Sequence, residues 1–228
     1  MIQVKPTDDF LELAPFFERM GPVFSIVEIG CHLMEDTTFL RERFPLASIV
    51  CFEPDMRAVK ELLASGVPAS LNAQIFPLAV GHQAGKVQFW QSTNGKADAM
   101  SEHWHSSSVR KPKNFGEKAD LVVNPCIFEP FPVSVLMTPL DGFVPLAHLK
   151  QVDLLWIDAQ GAEDLILAGA KKFLDGVRWL YVEHNTAGMY EGAPDLSSIR
   201  QFLKGWEPAA VFPYNALFRN SKYEATIH

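Results

Sequence analysis

Four apolar runs in this chain stop on acidic residues, and those stopping points are its first chemical signal. Val23 to Gly30 closes on Glu28-Ile29-Gly30, and Ser48 to Glu53 closes on Glu53. Val152 to Asp158 ends on Asp158, and Arg178 to Glu183 ends on Glu183 with His184 directly after it. Runs this apolar are what strands buried on both faces of a parallel sheet require. Such a strand has no structural need of a terminal carboxylate. One alone reads as a helix cap or a solvated end, but four together point to a shared site. In an open α/β sheet that site lies beyond the carboxyl ends of the strands, where the strand order reverses.

Glu53 says most about the ligand. Its distance from Gly30 is close to the ~20 residues at which an acid ends the second strand and holds ribose hydroxyls. A carboxylate accepts from both hydroxyls at once. The spacing indicates a nucleoside and is shared by nicotinamide and S-adenosylmethionine folds. The first turn separates these two. It runs Gly30-Cys31-His32-Leu33-Met34-Glu35-Asp36, and the next glycine is Gly66. A dinucleotide needs G-x-G-x-x-G for the backbone to approach its pyrophosphate. Glu28, Glu35 and Asp36 would also repel a pyrophosphate, whereas they suit a sulfonium cation with its amino group. Glu35 and Asp36 fit equally well as the acidic first turn of a helix.

The elements that must hold these groups alternate. Phe10 to Arg19 has helical spacing, with Phe10, Leu13, Phe16 and Phe17 on one face. Thr37 to Phe44 is a second expected helix, stopped by Pro45. Pro54 opens a third, whose apolar face is Met56, Val59, Leu62 and Leu63, and Gly66 ends it. Gln74 to Val80 reads as a third strand, and Val87 to Trp90 as an antiparallel edge strand. Order returns at Val133 to Leu140. A helix follows from near Ala162, another spans Ser197 to Leu203, and Ala209 to Phe218 supplies a closing hairpin. Strands alternating with helices at this spacing imply right-handed βαβ units in a parallel sheet.

Bulk properties narrow the class. The 228 residues suit one domain across 1–228, with 1–22 as a helical extension and 91–132 as a long variable loop. A net charge of −7 argues against nucleic acid as the main ligand. The basic stretch Arg110-Lys111-Pro112-Lys113 is expected to be a solvated loop. No apolar run nears the ~20 residues that span a bilayer, and the first residues carry no apolar signal core. Cys31, Cys51 and Cys126 form no C-x-x-C pair, which fits a reduced, cytoplasmic setting. An antiparallel edge strand offers a surface for homodimer pairing.

Several segments together resemble the FkbM family of S-adenosylmethionine-dependent methyltransferases. They are Val27-Glu28-Ile29-Gly30, Cys51-Phe52-Glu53-Pro54-Asp55, Pro77-Leu78-Ala79-Val80-Gly81 and Thr138-Pro139-Leu140-Asp141. The most specific is Leu154 to Glu163, reading Leu-Leu-Trp-Ile-Asp-Ala-Gln-Gly-Ala-Glu, followed by Leu167-Ala168-Gly169-Ala170 and Val182-Glu183. The matches run in the family's order from about residue 24 to 185. The resemblance implies a Rossmann-like, seven-stranded, mostly parallel α/β sheet with helices on both faces and the last strand antiparallel. It also implies S-adenosylmethionine contacts at Glu28, Gly30, Cys31, Glu53, Pro54 and Asp55, with Ala79 and Val80 near the adenine. Asp158 would stand by the methionine end or the acceptor, a sugar or another small-molecule hydroxyl. The family's first loop usually has a second glycine shortly after the first, where this chain has Leu33, Met34 or Glu35.

Methyl transfer to a hydroxyl calls for in-line geometry and a base that titrates near neutrality. His184 is the first candidate base, or else a loop histidine bonded to backbone. His32 is the second, and Asp158 or Glu183 could orient the base or accept from the hydroxyl directly. His103-Trp104-His105, with Cys126 as a distant third, is poorly spaced for zinc, so no metal is expected. The loop from Gln91 to Val133, flanked by Trp90 and carrying Trp104, is the candidate acceptor lid. Two rival readings stay open. One is a methyltransferase fold that has lost catalysis and serves as a binding scaffold, suggested by the missing glycine. The other, weaker one is a nicotinamide-dependent enzyme.

Overall fold

Local signals fix most of the element boundaries. The computed structural model describes residues 8–93, 105–113, 127–143, 146, 149, 151–184 and 188–223. The first half contains α1 (Asp8–Met20), β1 (Ser25–Ile29), α2 (Glu35–Arg43), β2 (Ser48–Phe52), α3 (Met56–Ser65), the single turn α4 (Val67–Ser70) and β3 (Ala73–Phe76). Asp55 caps α3 by accepting from the Arg57 amide at 2.9 Å, and Gly66 ends it at φ 73°. Next come β4 (Ala79–Val80), β5 (Gly85–Phe89), β6 (Ser92–Thr93), β7 (Ile127–Phe128) and β8 (Val133–Thr138). The last part holds β9 (Val152–Ile157), α5 (Glu163–Ala168), β10 (Val177–Glu183), α6 (Leu196–Phe202), β11 (Trp206–Val211) and β12 (Asn215–Asn220).

The main sheet has seven strands in the order β11-β12-β10-β9-β1-β2-β3. The pairs from β3 across to β10 are parallel, and β12 lies antiparallel between β10 and β11. This is the expected Rossmann-like sheet with its last strand reversed. The chain builds outward from β1 through β2 to β3, then returns to place β9 on the other side of β1. The switch point therefore lies at the carboxyl ends of β1 and β9.

Alternate residues of each inner strand enter opposite layers. Val27, Ile29, Leu155, Ile157, Leu180 and Val182 pack with Ile166 and Leu167 of α5 and Ile199 of α6. Ile26, Leu154, Trp156 and Tyr181 pack on the other face with Leu13 and Phe17 of α1 and Leu40 of α2. The side chain of Phe10 lies outside the described residues. Both faces of the sheet are thus buried, which is why the strands read as continuous apolar runs. Among the described residues no helix is long and apolar enough to cross a membrane.

The expected single strand from Gln74 to Val80 is in fact divided. Pro77 brings no N–H to a ladder, and Leu78 turns back to donate to the Phe76 carbonyl at 2.9 Å. β3 stays in the main sheet, while Ala79 and Val80 leave it and pair in parallel with Met137 and Thr138. The antiparallel partner of β5 is β8, so the edge pairing predicted for Val87 to Trp90 occurs in a separate three-stranded sheet, β4-β8-β5.

That small sheet is fastened to the main layer where two glycine backbones meet. A Cβ on Gly169 would sit 1.9 Å from the Gly81 carbonyl oxygen, so α5 can close on β4 only with glycine there. Gly169→Ala should lower the urea unfolding free energy by about 1–3 kcal/mol, through overpacking against rigid backbone. An unchanged denaturation midpoint would contradict this account of the contact.

Candidate active site

A cavity of about 550 Å³ opens across the carboxyl ends of β1, β2 and β9. Gly30 sets its floor. Its φ is 88°, and a Cβ there would lie 1.7 Å from the Asp158 carbonyl oxygen. Both the turn and the close approach of β9 therefore require glycine. The Gly30 amide bonds the Phe52 carbonyl at 2.9 Å and the Asp158 amide bonds the Ile29 carbonyl at 3.0 Å, so the three strand ends are tied together.

The loop from Gly30 to α2 keeps a left-handed turn without a second glycine. His32 has φ 42° and Met34 has φ 67°. Met34 precedes α2, and its side chain is fully buried in the core under α1 and α2. The loop is also held from the second strand. Glu53, only 5% exposed, accepts from the His32 amide at 2.8 Å on one oxygen and from the Asp55 amide at 2.7 Å on the other. Each oxygen keeps a further lone pair for a ligand hydroxyl. Burial outweighs these bonds and pushes the Glu53 carboxyl up to about 7.

The turn after β9 forms the opposite wall. Gln160 is held at φ 53° and donates from its amide nitrogen to Asp158 at 2.7 Å and to Glu183 at 3.2 Å. Burial and the charge of Asp158 raise Glu183 well above the ordinary range; burial also raises Asp158. The two form an electrostatically interacting acid pair, with Asp158 bordering the cavity and Glu183 behind it. From below, Glu163 accepts from the Ala159 and Gly161 amides at 3.2 and 3.1 Å. Burial lifts this carboxyl to about 7. Asp36, which accepts from the Trp156 indole at 3.0 Å, is likewise pushed to about 7 by burial and by the charge of Asp158.

Residues 105–113 form a strap over this arrangement. Ser108 exchanges backbone bonds with Trp90 and donates its hydroxyl to the Gln160 carbonyl at 2.7 Å. Arg110 reaches the Gly161 carbonyl and pairs with both oxygens of Asp164 at 2.6 and 2.7 Å. The basic stretch is solvated at Lys111, which pairs with Glu191 at 3.0 Å while exposed, and at Lys113, but Arg110 departs from that expectation and is pinned to the turn after β9. His105, Ser107, Ser108 and Val109 of the strap line the cavity. His103, Trp104 and Cys126 lie outside the described residues.

Of the residues singled out from sequence, Gly30, Cys31, His32, Glu53, Pro54, Asp55, Ala79, Val80 and Asp158 all border the cavity. Three do not. Glu28 is 1% exposed beneath the loop, accepts from Thr37 at 2.6 Å and is raised well above the usual carboxyl range by burial. Glu183 stands behind Asp158. His184 points into the β12 side, with its Nε2 3.2 Å from the Asn215 carbonyl oxygen, which is the backbone-bonded arrangement rather than a base at the cavity. Asp55 is largely committed elsewhere, since Arg57 grips its carboxylate and Gln91 donates to it at 2.9 Å. Sequence reasoning missed Gln160, Glu163 and Ser108. The first two sit inside the specific stretch from Leu154 to Glu163, so their neighbourhood was visible though their roles were not.

A seven-stranded sheet of this order, with a cavity and a buried strand-end carboxylate at its switch point, defines the class I methyltransferase fold. The comparisons go further: the Methyltransferase FkbM domain model matches residues 28–212, and the chain belongs to that family. Its methyl donor is S-adenosylmethionine. The chain is 33% identical over 226 residues to the 2-O-methyltransferase NoeI of Sinorhizobium fredii, covering 96% of this chain and 88% of that protein. Among solved structures, the FkbM methyltransferase of Methylobacillus flagellatus aligns with TM-score 0.53 and 12% identity over 86% of this chain. The chain spans only 43% of that protein's length. A candidate O-methyltransferase from Klebsiella pneumoniae aligns with TM-score 0.50 and 12% identity, over 96% of this chain and 83% of that one. These two likenesses speak to fold alone.

The raised carboxyls give a testable pH dependence. Asp36, Glu53 and Glu163 stay protonated in the folded chain up to about pH 7, but ionise near pH 4 when unfolded. The folded state binds more protons across that window, so its stability falls as pH rises through it. The melting temperature of the ligand-free protein should drop by several degrees between about pH 5 and pH 8, and Asp36→Asn should flatten the slope. A melting temperature that climbs over this range would contradict the burial of these acids.

Proposed function

We propose that the protein methylates a hydroxyl oxygen of a sugar or similar small polyol. The observation that carries this reading is the cavity flanked by two carboxylates, Glu53 on one side and Asp158 on the other, with a polar strap above. When bound, S-adenosylmethionine supplies an electrophilic methyl group on a sulfonium sulfur. The residues present fit that cofactor. Leu78, Ala79, Val80 and Phe89 form an apolar wall for a purine, and Glu53 offers lone pairs to ribose hydroxyls. Asp158 supplies the negative field that a sulfonium and an ammonium favour, and Asp36 adds to it as it ionises near pH 7. The relative named as a 2-O-methyltransferase supports oxygen as the acceptor atom.

On the acceptor side, Ser107, Ser108 and Gln160 provide hydroxyl and amide groups suited to a polyol. Asp158 takes the role of base, and its elevated pKa brings it nearer the range where proton transfer is efficient. Glu183, raised further by the charge of Asp158, stands behind it, and Gln160 fixes the orientation of both. This replaces His184, whose imidazole faces the Asn215 carbonyl. The scaffold alternative rested on the missing glycine, and Met34 keeps the left-handed turn without one. The free, buried Cys31 and Cys51 support a reducing cytoplasmic setting.

The test is transfer of labelled methyl from S-adenosylmethionine to a panel of mono- and oligosaccharides, with the product analysed by mass spectrometry. One methyl ether per acceptor is expected. Asp158→Asn should lower kcat by roughly 10²–10⁴-fold. Transfer to nitrogen or to protein, or an unchanged kcat in that variant, would overturn the proposal.

A further inference from the structure

We infer a divalent metal site at the mouth of the cavity, formed by His32, Glu35 and His105. The His32 and His105 Nδ1 atoms lie 3.1 Å apart, and a Glu35 carboxylate oxygen lies 3.6 Å from the same His32 Nδ1. The donor atoms of all three residues fall within 4.8 Å of one another. Two imidazole nitrogens sharing one zinc ion at about 2.0–2.1 Å stand about 3.0–3.4 Å apart, so the observed separation already matches joint ligation.

A simple proton relay accounts less well for this arrangement. In a relay, the carboxylate and the second imidazole would use opposite nitrogens of the central ring. Here both converge on a single nitrogen of His32, whose one proton cannot bridge to both in good geometry. A cation at the point of convergence satisfies all three donors together.

The setting favours such an ion. His32 and Glu35 come from the loop and first turn after β1, whereas His105 comes from the strap, so a bound ion would join the two walls of the cavity. The nearby Asp158 adds negative potential, and Asp36 joins it as it ionises near pH 7. Two imidazoles with one carboxylate suit zinc, iron or nickel, and leave coordination positions open for a ligand oxygen. We assign to that open position a hydroxyl of the acceptor, whose acidity the ion would raise. This second step rests on the O-methyl transfer proposed above, whereas ion binding itself does not.

The experiment is calorimetric titration of chelator-stripped protein with zinc chloride, repeated with cobalt(II) chloride while its visible absorption is recorded. Wild type, His105→Ala and Glu35→Gln are compared, with folding followed by circular dichroism. One ion per chain is expected at micromolar affinity or better, with an intense visible cobalt band typical of low coordination number. Each variant should bind at least tenfold more weakly. A wild type that takes up no stoichiometric ion, or variants that bind as tightly as wild type, would overturn the site. S-adenosylhomocysteine is titrated in parallel. Ion binding without nucleoside binding would sink the methyl-transfer reading and leave the metal site standing; the converse would remove only the metal.

Discussion

A carboxyl group cut off from bulk water must be met by donors or keep its proton, and the ligand end of this sheet is organised around that requirement. Glu53 is met by the His32 and Asp55 amides, Glu163 by the Ala159 and Gly161 amides, and Asp158 by the Gln160 side chain. Each of these bonds also fixes a stretch of backbone that borders the cavity. The acids therefore act as clasps in the ligand-free protein, and the two that border the cavity, Glu53 and Asp158, stand where they can ionise against a cationic ligand. Because burial raises them toward neutrality, a bound cation and an ionised wall stabilise one another.

The same logic explains how the first loop keeps its shape. Between Gly30 and α2 this chain has no second glycine to supply a left-handed turn. A left-handed residue other than glycine costs about 1–2 kcal/mol, and burying a methionine side chain offsets about that much or more. Met34 makes that exchange: its backbone turns left-handed, and its side chain is driven fully into the core. The turn is held by packing instead of by backbone freedom. His32, the other left-handed residue, is held by the Glu53 bond to its amide.

Much of this was legible in the sequence because buried parallel strands leave a strong pattern. The apolar runs ending at Glu28, Glu53, Asp158 and Glu183 fall on the strands, and the mostly parallel seven-stranded sheet with a reversed last strand follows from the alternation and the family resemblance. What was not legible depends on long-range contact. Glu28 and Glu53 look alike as strand-end acids, yet one is locked against Thr37 and the other borders the cavity. The difference lies in strand pleat: Glu28 is followed by one more strand residue, while Glu53 stands just past β2. His184 follows an acid at a strand end as a base should, but the antiparallel β12 captures its ring. The strap 105–113 has no periodicity at all, since its order comes from residues remote in sequence: Trp90, Asp164, and Tyr190, whose hydroxyl donates to the Ser106 carbonyl at 2.6 Å.

The most direct test of this account is calorimetric titration of wild type and Glu53→Ala with S-adenosylhomocysteine. A buried carboxylate that holds ribose hydroxyls predicts clear binding by the wild type, weakened about ten- to 150-fold in the variant, or ~1.5–3 kcal/mol. A folded wild type that does not bind, or a variant that binds equally well, would contradict the assignment of this cavity to the methyl donor.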